Sequence, residues 1–100
     1  MTIVKVIRYQ TKPDSADENE RLVRAVFSEL STTKPQGFSY SVFRLVDTVS
    51  FVHVAVIDGD YNPLFDSGAF ADFQIDIAER CVTGPNASDA TTIGSYRPVS

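Results

Sequence analysis

The stretch "FVHVAVIDGD", residues 51–60, constrains the fold more than any other part of this 100-residue chain. It is rich in β-branched residues and bounded by Asp58-Gly59-Asp60, which is the pattern of a strand closed by a turn. Successive side chains of a strand point to opposite faces. Val52, Val54 and Val56 therefore fall on one side, and Phe51, Ala55 and Ile57 on the other. A sheet with one solvated face alternates apolar with polar residues, but here both sides are apolar. Val4 and Val6 against Ile3 and Ile7 repeat the pattern near the start of the chain, so both faces of the sheet need a cover.

The remaining elements follow from punctuation. Ile3 to Tyr9 reads as a strand that Lys12-Pro13-Asp14 breaks. Ser15 followed by Glu18 has the form of a capping box, which predicts a helix from near Ser15. Leu22, Val26 and Leu30, with Val23 and Phe27 beside them, give that helix an apolar stripe, and it stops before Pro35. Phe38 to Leu45 and Val49 to Ile57 form an antiparallel hairpin around Asp47-Thr48. Ser67 caps a second helix carrying Phe70, Phe73, Ile77 and Cys81 on one face, and Gly84-Pro85 ends it. Ala90 to Tyr96 is then the last strand. The order β-α-β-β-α-β over a single domain, residues 1–100, predicts an α+β ferredoxin-like sandwich: a four-stranded antiparallel sheet with two helices on one face. The bare face would meet a second copy of itself, because symmetric homodimers are the commonest oligomers.

Composition excludes several functions. The net charge of −4, with nine scattered Lys and Arg, repels phosphate backbones, so nucleic acid is not an expected partner. No run approaches the roughly 20 apolar residues of a membrane span, and MTIVKVIRYQ is too short and too charged for a signal-peptide core. Cys81 is the only cysteine, so no internal disulfide forms and a reducing cytoplasm is the simplest home. It belongs to an apolar helix stripe and reads as an inert buried thiol. Asn86-Ala87-Ser88 matches a glycosylation acceptor and reads as chance. One cysteine cannot ligate an iron–sulfur cluster, and no His and carboxylate set has zinc-like spacing, so no metal or other cofactor is expected. An RNA-recognition fold shares the element order, but the third strand lacks its basic, glycine-rich start.

His53 is the only histidine and lies mid-strand between valines. An imidazole there can serve as a general base near neutral pH, or it can be a packed, hydrogen-bonded core residue. Its neighbours depend on register. A hairpin loop of two or four residues sets Val42 across from His53 and puts Tyr40, Arg44 and Phe51 on the same face, whereas a one-residue slip substitutes Ser41 and Phe43. The first register is favoured, since it keeps Val46 and Val49 in the strands.

The stretches "FVHVAVIDGD", "NPLFDSGAFADFQIDIAERC" and "TTIGSYRP" resemble members of the dimeric α/β barrel superfamily related to the antibiotic-biosynthesis monooxygenases. The resemblance implies two ferredoxin-like sheets packed face to face as a homodimer. It implies oxidation of phenolic or quinol-type aromatic molecules without metal or flavin: His53 would assist proton removal, Arg44 would stabilise the phenolate, and Tyr40, Val42 and Phe51 would line the apolar pocket. Related haem-degrading barrels hold iron through a histidine in the second helical region, and none occurs between Leu64 and Val82. The resemblance also implies a last strand against the first, with Gly94 permitting close approach, Tyr96 in the interface or pocket and Arg97 on the opposite face. A non-catalytic binder of an aromatic ligand and a purely structural dimer are the alternatives that share this fold.

Overall fold

The computed structural model describes residues 2–96. Its elements run β1 (Thr2–Thr11), α1 (Ala16–Thr33), β2 (Phe38–Arg44), β3 (Ser50–Asp58), α2 (Gly68–Gln74), α3 (Ile77–Arg80) and β4 (Cys81–Ala90), with 3-10 turns at Pro13–Ser15 and Pro63–Asp66. The four strands pair antiparallel in the order β2-β3-β1-β4. This is the expected α+β ferredoxin-like sheet. Tyr9 and Phe51 on one face pack against Ala16, Val23 and Val26 of α1 and Phe70 and Phe73 of α2, forming the core. The other face carries Val4, Val6, Val52, Val54 and Val56, all only half-buried, and Phe43, which pairs with Val52 and is 54% exposed.

Local chemistry accounts for the hairpin. Asp47 accepts the backbone N–H groups of Val49 and Ser50 at 3.0 and 2.8 Å, and Thr48 takes a positive φ of 68°. Asx-type bonding of this kind makes Asp a turn former. Leu45 N–H donates to Ser50 O at 2.8 Å, so four residues, 46–49, form the loop and Val42 faces His53. The favoured register is the one the chain adopts, although Val46 and Val49 lie in the loop.

Three boundaries differ from expectation. Ser15 is the residue before α1 but makes no side-chain cap to the helix, so the anticipated capping box is not formed. The second helix is not continuous. It breaks after Gln74, where Ile75 is extended and Asp76 adopts φ 62°, before the short α3. Gly84-Pro85, expected to end that helix, instead lies within β4, and the last strand is Cys81–Ala90 rather than Ala90 to Tyr96. β4 still lies against β1. Opposite Tyr9, two residues of β4 oppose one of β1, which is a β-bulge. A Cβ on Gly84 would come within 2.9 Å of the Arg8 carbonyl, and its φ is +85°, so glycine is required at this close approach. Among the described residues nothing lies within 4 Å of where a Cβ on Gly94 would stand, so no close approach within the chain requires glycine there.

Candidate functional site

His53 is the centre of a buried polar chain. Mid-strand alternation on β3 turns it toward the helices, where it is 2% exposed. Its Nε2 lies 2.7 Å from Tyr9 Oη and its Nδ1 2.6 Å from Tyr40 Oη. Tyr9 Oη also accepts from Asn19 Nδ2 at 2.8 Å, and Asn19 Oδ1 accepts from Arg80 Nε at 3.1 Å. Four elements thus contribute: β1, β2, β3 and α1, with Arg80 reaching in from the end of α3. Arg80 has no carboxylate partner among the described residues. Its guanidinium donates to Phe73 O at 2.6 Å and Ile75 O at 3.0 Å, and lies 5.2 Å from the Phe73 ring centroid. A cation at the carboxyl end of a helix satisfies orphan carbonyls and complements the helix dipole, so Arg80 closes α2 while it holds Asn19.

Beside His53 is a cavity of about 300 Å³ between the sheet and α2–α3. Ile7, Phe70, Phe73 and Ile77 give it apolar walls, and Tyr9, His53 and Gln74 supply the side-chain polar atoms. Pro85 and Ala87 close it from β4, so the bulge that displaces Gly84-Pro85 also shapes the cavity wall. Aromatic packing fixes the site: Tyr9 stacks on Phe51 at 5.4 Å between centroids, and the His53 ring lies 5.4 Å from Phe73.

Burial sets the protonation states. It pushes the His53 imidazole down to about 4, because the charged form is taken out of water. The same burial raises the Tyr9 and Tyr40 phenols well above their ordinary range. At neutral pH the site is therefore a neutral imidazole held between two neutral phenols. Cys81 lies half-buried where burial raises its thiol, which leaves it a poor nucleophile.

The residues singled out from sequence separate into groups. His53 and Tyr40 are directly bonded, and Phe51 packs on the far side of Tyr9. Val42 and Arg44 line a different recess, with Glu20 and Phe27. Arg44 Nη1 is engaged by Glu20 at 2.9 Å and Asp17 at 3.1 Å, and its guanidinium lies 5.6 Å from the Phe51 centroid. Its charge is committed to α1 rather than to the cavity beside His53. Tyr96 is 91% exposed, beyond the end of β4, and Arg97 lies outside the described residues. Sequence reasoning missed Tyr9, Asn19 and Arg80. Asn19 had a visible signal: it falls on the buried stripe Ala16, Asn19, Val23, Val26, where a polar residue needs a partner.

Fold and site together define an α+β sandwich with a cavity of apolar walls between its sheet and its helices. Solved structures share this architecture. Rv0793 from Mycobacterium tuberculosis superposes with a TM-score of 0.75 at 14% identity, covering 97% of this chain and 100% of that one. SnoaB from Streptomyces nogalater, described as a cofactor-independent oxygenase, gives 0.66 at 15% identity over 94% and 95% of the two chains. A protein described as an antibiotic biosynthesis monooxygenase gives 0.67 at 15% identity over 94% and 100%. These likenesses establish the ferredoxin-like fold of that group of proteins. No family model and no curated protein matches the sequence.

Proposed function

We propose that this protein is a cofactor-independent oxygenase for a phenolic or quinol-type aromatic molecule bound in the cavity beside Tyr9 and His53. The observation that carries this reading is an apolar, aromatic-walled cavity whose titratable lining groups are a neutral imidazole and a phenol already hydrogen-bonded to each other. Its volume of about 300 Å³ is at the lower end of the roughly 300–1,000 Å³ of small-molecule sites, which suits a substrate of one or two fused rings. Flat apolar walls hold the ring, and removal of the phenol proton makes it electron-rich enough to react with oxygen. One oxygen atom becomes a ring carbonyl where a C–H bond stood, and the other leaves as water. The substrate supplies all the electrons, so no external reductant enters. The fold's likeness to SnoaB, described as a cofactor-independent oxygenase, supports the same reaction class. Arg44, Val42 and Tyr96 have no part in this reading.

The open valine face supports a homodimer, since large exposed apolar patches on soluble proteins mark interaction surfaces. Among the described residues no helix is long and apolar enough to cross a membrane.

A second reading has its own observation. Both ring nitrogens of His53 are satisfied within the protein, as a core histidine's would be, which favours a non-catalytic binder of the same ligand class. Oxygen uptake with a panel of naphthols and quinols, with ¹⁸O₂ label followed into the product, separates the two. Uptake with one labelled oxygen per product supports the oxygenase. Saturable binding with no uptake assigns the cavity to a binder.

A further inference from the structure

The hydrogen-bond chain through His53 has a direction, and residues outside the cavity set it. Arg80 Nε can only donate, so Asn19 must turn Oδ1 toward it and present its N–H to Tyr9. Tyr9 Oη therefore accepts from Asn19, and two arrangements remain for the other protons. In one, Tyr9 O–H donates to Nε2, Nδ1–H donates to Tyr40, and the unpaired hydroxyl hydrogen is on Tyr40. In the other, Tyr40 O–H donates to Nδ1, Nε2–H donates to Tyr9, and the unpaired hydrogen is on Tyr9. Tyr9 is 4% exposed. Tyr40 is half-buried and lines an open groove of about 270 Å³ with Phe27, Leu30, Lys34 and Phe38. An unpaired O–H costs more in the core than beside water, so the first arrangement is the resting one.

We propose that Tyr9, His53 and Tyr40 form a proton relay between the cavity and the groove beside the end of α1, with Asn19 and Arg80 as positioning residues that fix its resting polarity. The relay rests on the reading of the cavity as a substrate site. A substrate hydroxyl gives its proton to Tyr9 Oη as Tyr9 gives its own to Nε2, Nδ1 gives its proton to Tyr40, and Tyr40 releases one to water in the groove. Each protein group gains one proton and loses one, so the negative charge appears only on the substrate and the imidazole carries no net charge. A buried histidine without a carboxylate partner resists becoming a cation, and a relay avoids that state. When oxygen is reduced, the same steps run inward, deliver the proton to the departing water and restore the starting tautomer.

The test needs no substrate for its first part. Long-range ¹H–¹⁵N correlation spectra of ¹⁵N-His protein at pH 7 should show His53 as the Nδ1–H tautomer. Asn19→Asp has no N–H to offer. Its carboxylate would accept from both Arg80 and Tyr9, so Tyr9 would accept from Nε2–H and the tautomer should reverse. The Nε2–H tautomer in the native protein, or the same tautomer in both proteins, overturns the assigned polarity. Should Asn19→Asp fail to fold, the native spectrum alone decides the polarity. Tyr40→Phe keeps the Nδ1–H tautomer but cuts the exit. With a substrate found by oxygen uptake, its kcat should fall by about tenfold or more at a KM within about twofold, since positioned proton transfer usually contributes at least that much. Undiminished kcat overturns the relay, whereas absence of uptake with every substrate sinks the oxygenase reading and leaves the spectra to decide the polarity.

Discussion

Lowering the pH should destabilise this protein through His53 before its carboxylates contribute. The imidazole is held at about 4 by burial, against an ordinary value near 6.5. Between those values the unfolded chain binds a proton at this residue that the folded chain does not, so stability falls as pH falls. Among the described residues no carboxylate pairs with the ring to offset the penalty: Tyr9, Tyr40 and Phe73 are its ring neighbours, and the hydrogen-bond chain leads through Asn19 to the Arg80 cation. With one pKa unit worth about 1.4 kcal/mol, the folded state should lose about 2 kcal/mol between pH 7 and pH 5 from this residue, and nearly all of the loss lies below pH 6.5.

The control is His53→Gln, which keeps a donor and an acceptor but does not titrate. Glu18, Glu20 and Asp47 are held below the ordinary carboxylate range by Arg21, Arg44 and Ser50 respectively. Their contributions are lost at still lower pH and are common to both proteins. Urea unfolding followed by circular dichroism, at equal protein concentration because self-association would shift the midpoint, gives the two stabilities at each pH. The native protein should lose about 2 kcal/mol more than the variant between pH 7 and 5. Equal losses would falsify the claim that burial keeps this imidazole neutral, and with it the reason for a relay rather than a base.

Further outcomes concern the helix starts and the assembly. Ser67→Ala should cost about 1 kcal/mol in urea unfolding, because Ser67 Oγ accepts the Phe70 N–H at 2.9 Å. Ser15→Ala should be near neutral, since Ser15 makes no cap to its helix, and equal costs would show that side-chain capping is not what distinguishes the two helix starts. Light scattering should give about twice the 11.0 kDa chain mass, and Val54→Asp should yield a smaller species or a poorly folded one, because the new charge would have no partner in an apolar interface. A native protein that runs as a monomer at micromolar concentration overturns the dimer.

The fold was legible because its signals are local. Alternating valines, the Ser67 cap and the Asp47-Thr48 turn each specify a neighbourhood of a few residues, and antiparallel order follows from them. What failed were places where tertiary contacts override local chemistry. Gly84-Pro85 is a turn signal in isolation, but beside Tyr9 the glycine's φ of +85° lets β4 pass within contact of the Arg8 backbone, so the pair becomes a bulge in a strand. The helix stripe Phe70, Phe73, Ile77, Cys81 looked continuous, and Phe70 and Phe73 are core. Yet Arg80 binds the carbonyls of Phe73 and Ile75 and ends α2 early. The site was half legible for the same reason. Register set Tyr40 and Phe51 on the face of His53, but Tyr9, Asn19 and Arg80 come from separate elements, and no spacing in the sequence links them.

Strand β3 also separates the cavity from the open valine face by one residue. His53 turns inward to the cavity and Val54 turns outward to the open face, so the proposed chemistry and the proposed association surface would share a backbone but no side chains. Register therefore carries both at once. A one-residue slip of β3 would expose His53 and bury the valines among the helices. The β2 loop guards against it, since Asp47 binds Val49 and Ser50 and fixes Arg44 opposite Phe51. β1 adds a second pin, because the Thr11 N–H and hydroxyl both donate to Val49 O, at 2.8 and 3.1 Å. Changes on the valine face should consequently alter assembly without reaching His53, and changes at Tyr9 should alter the cavity, or at Asn19 the hydrogen-bond chain beside it, without loosening assembly. The arrangement allows each surface to be varied alone so long as the hairpin holds its register.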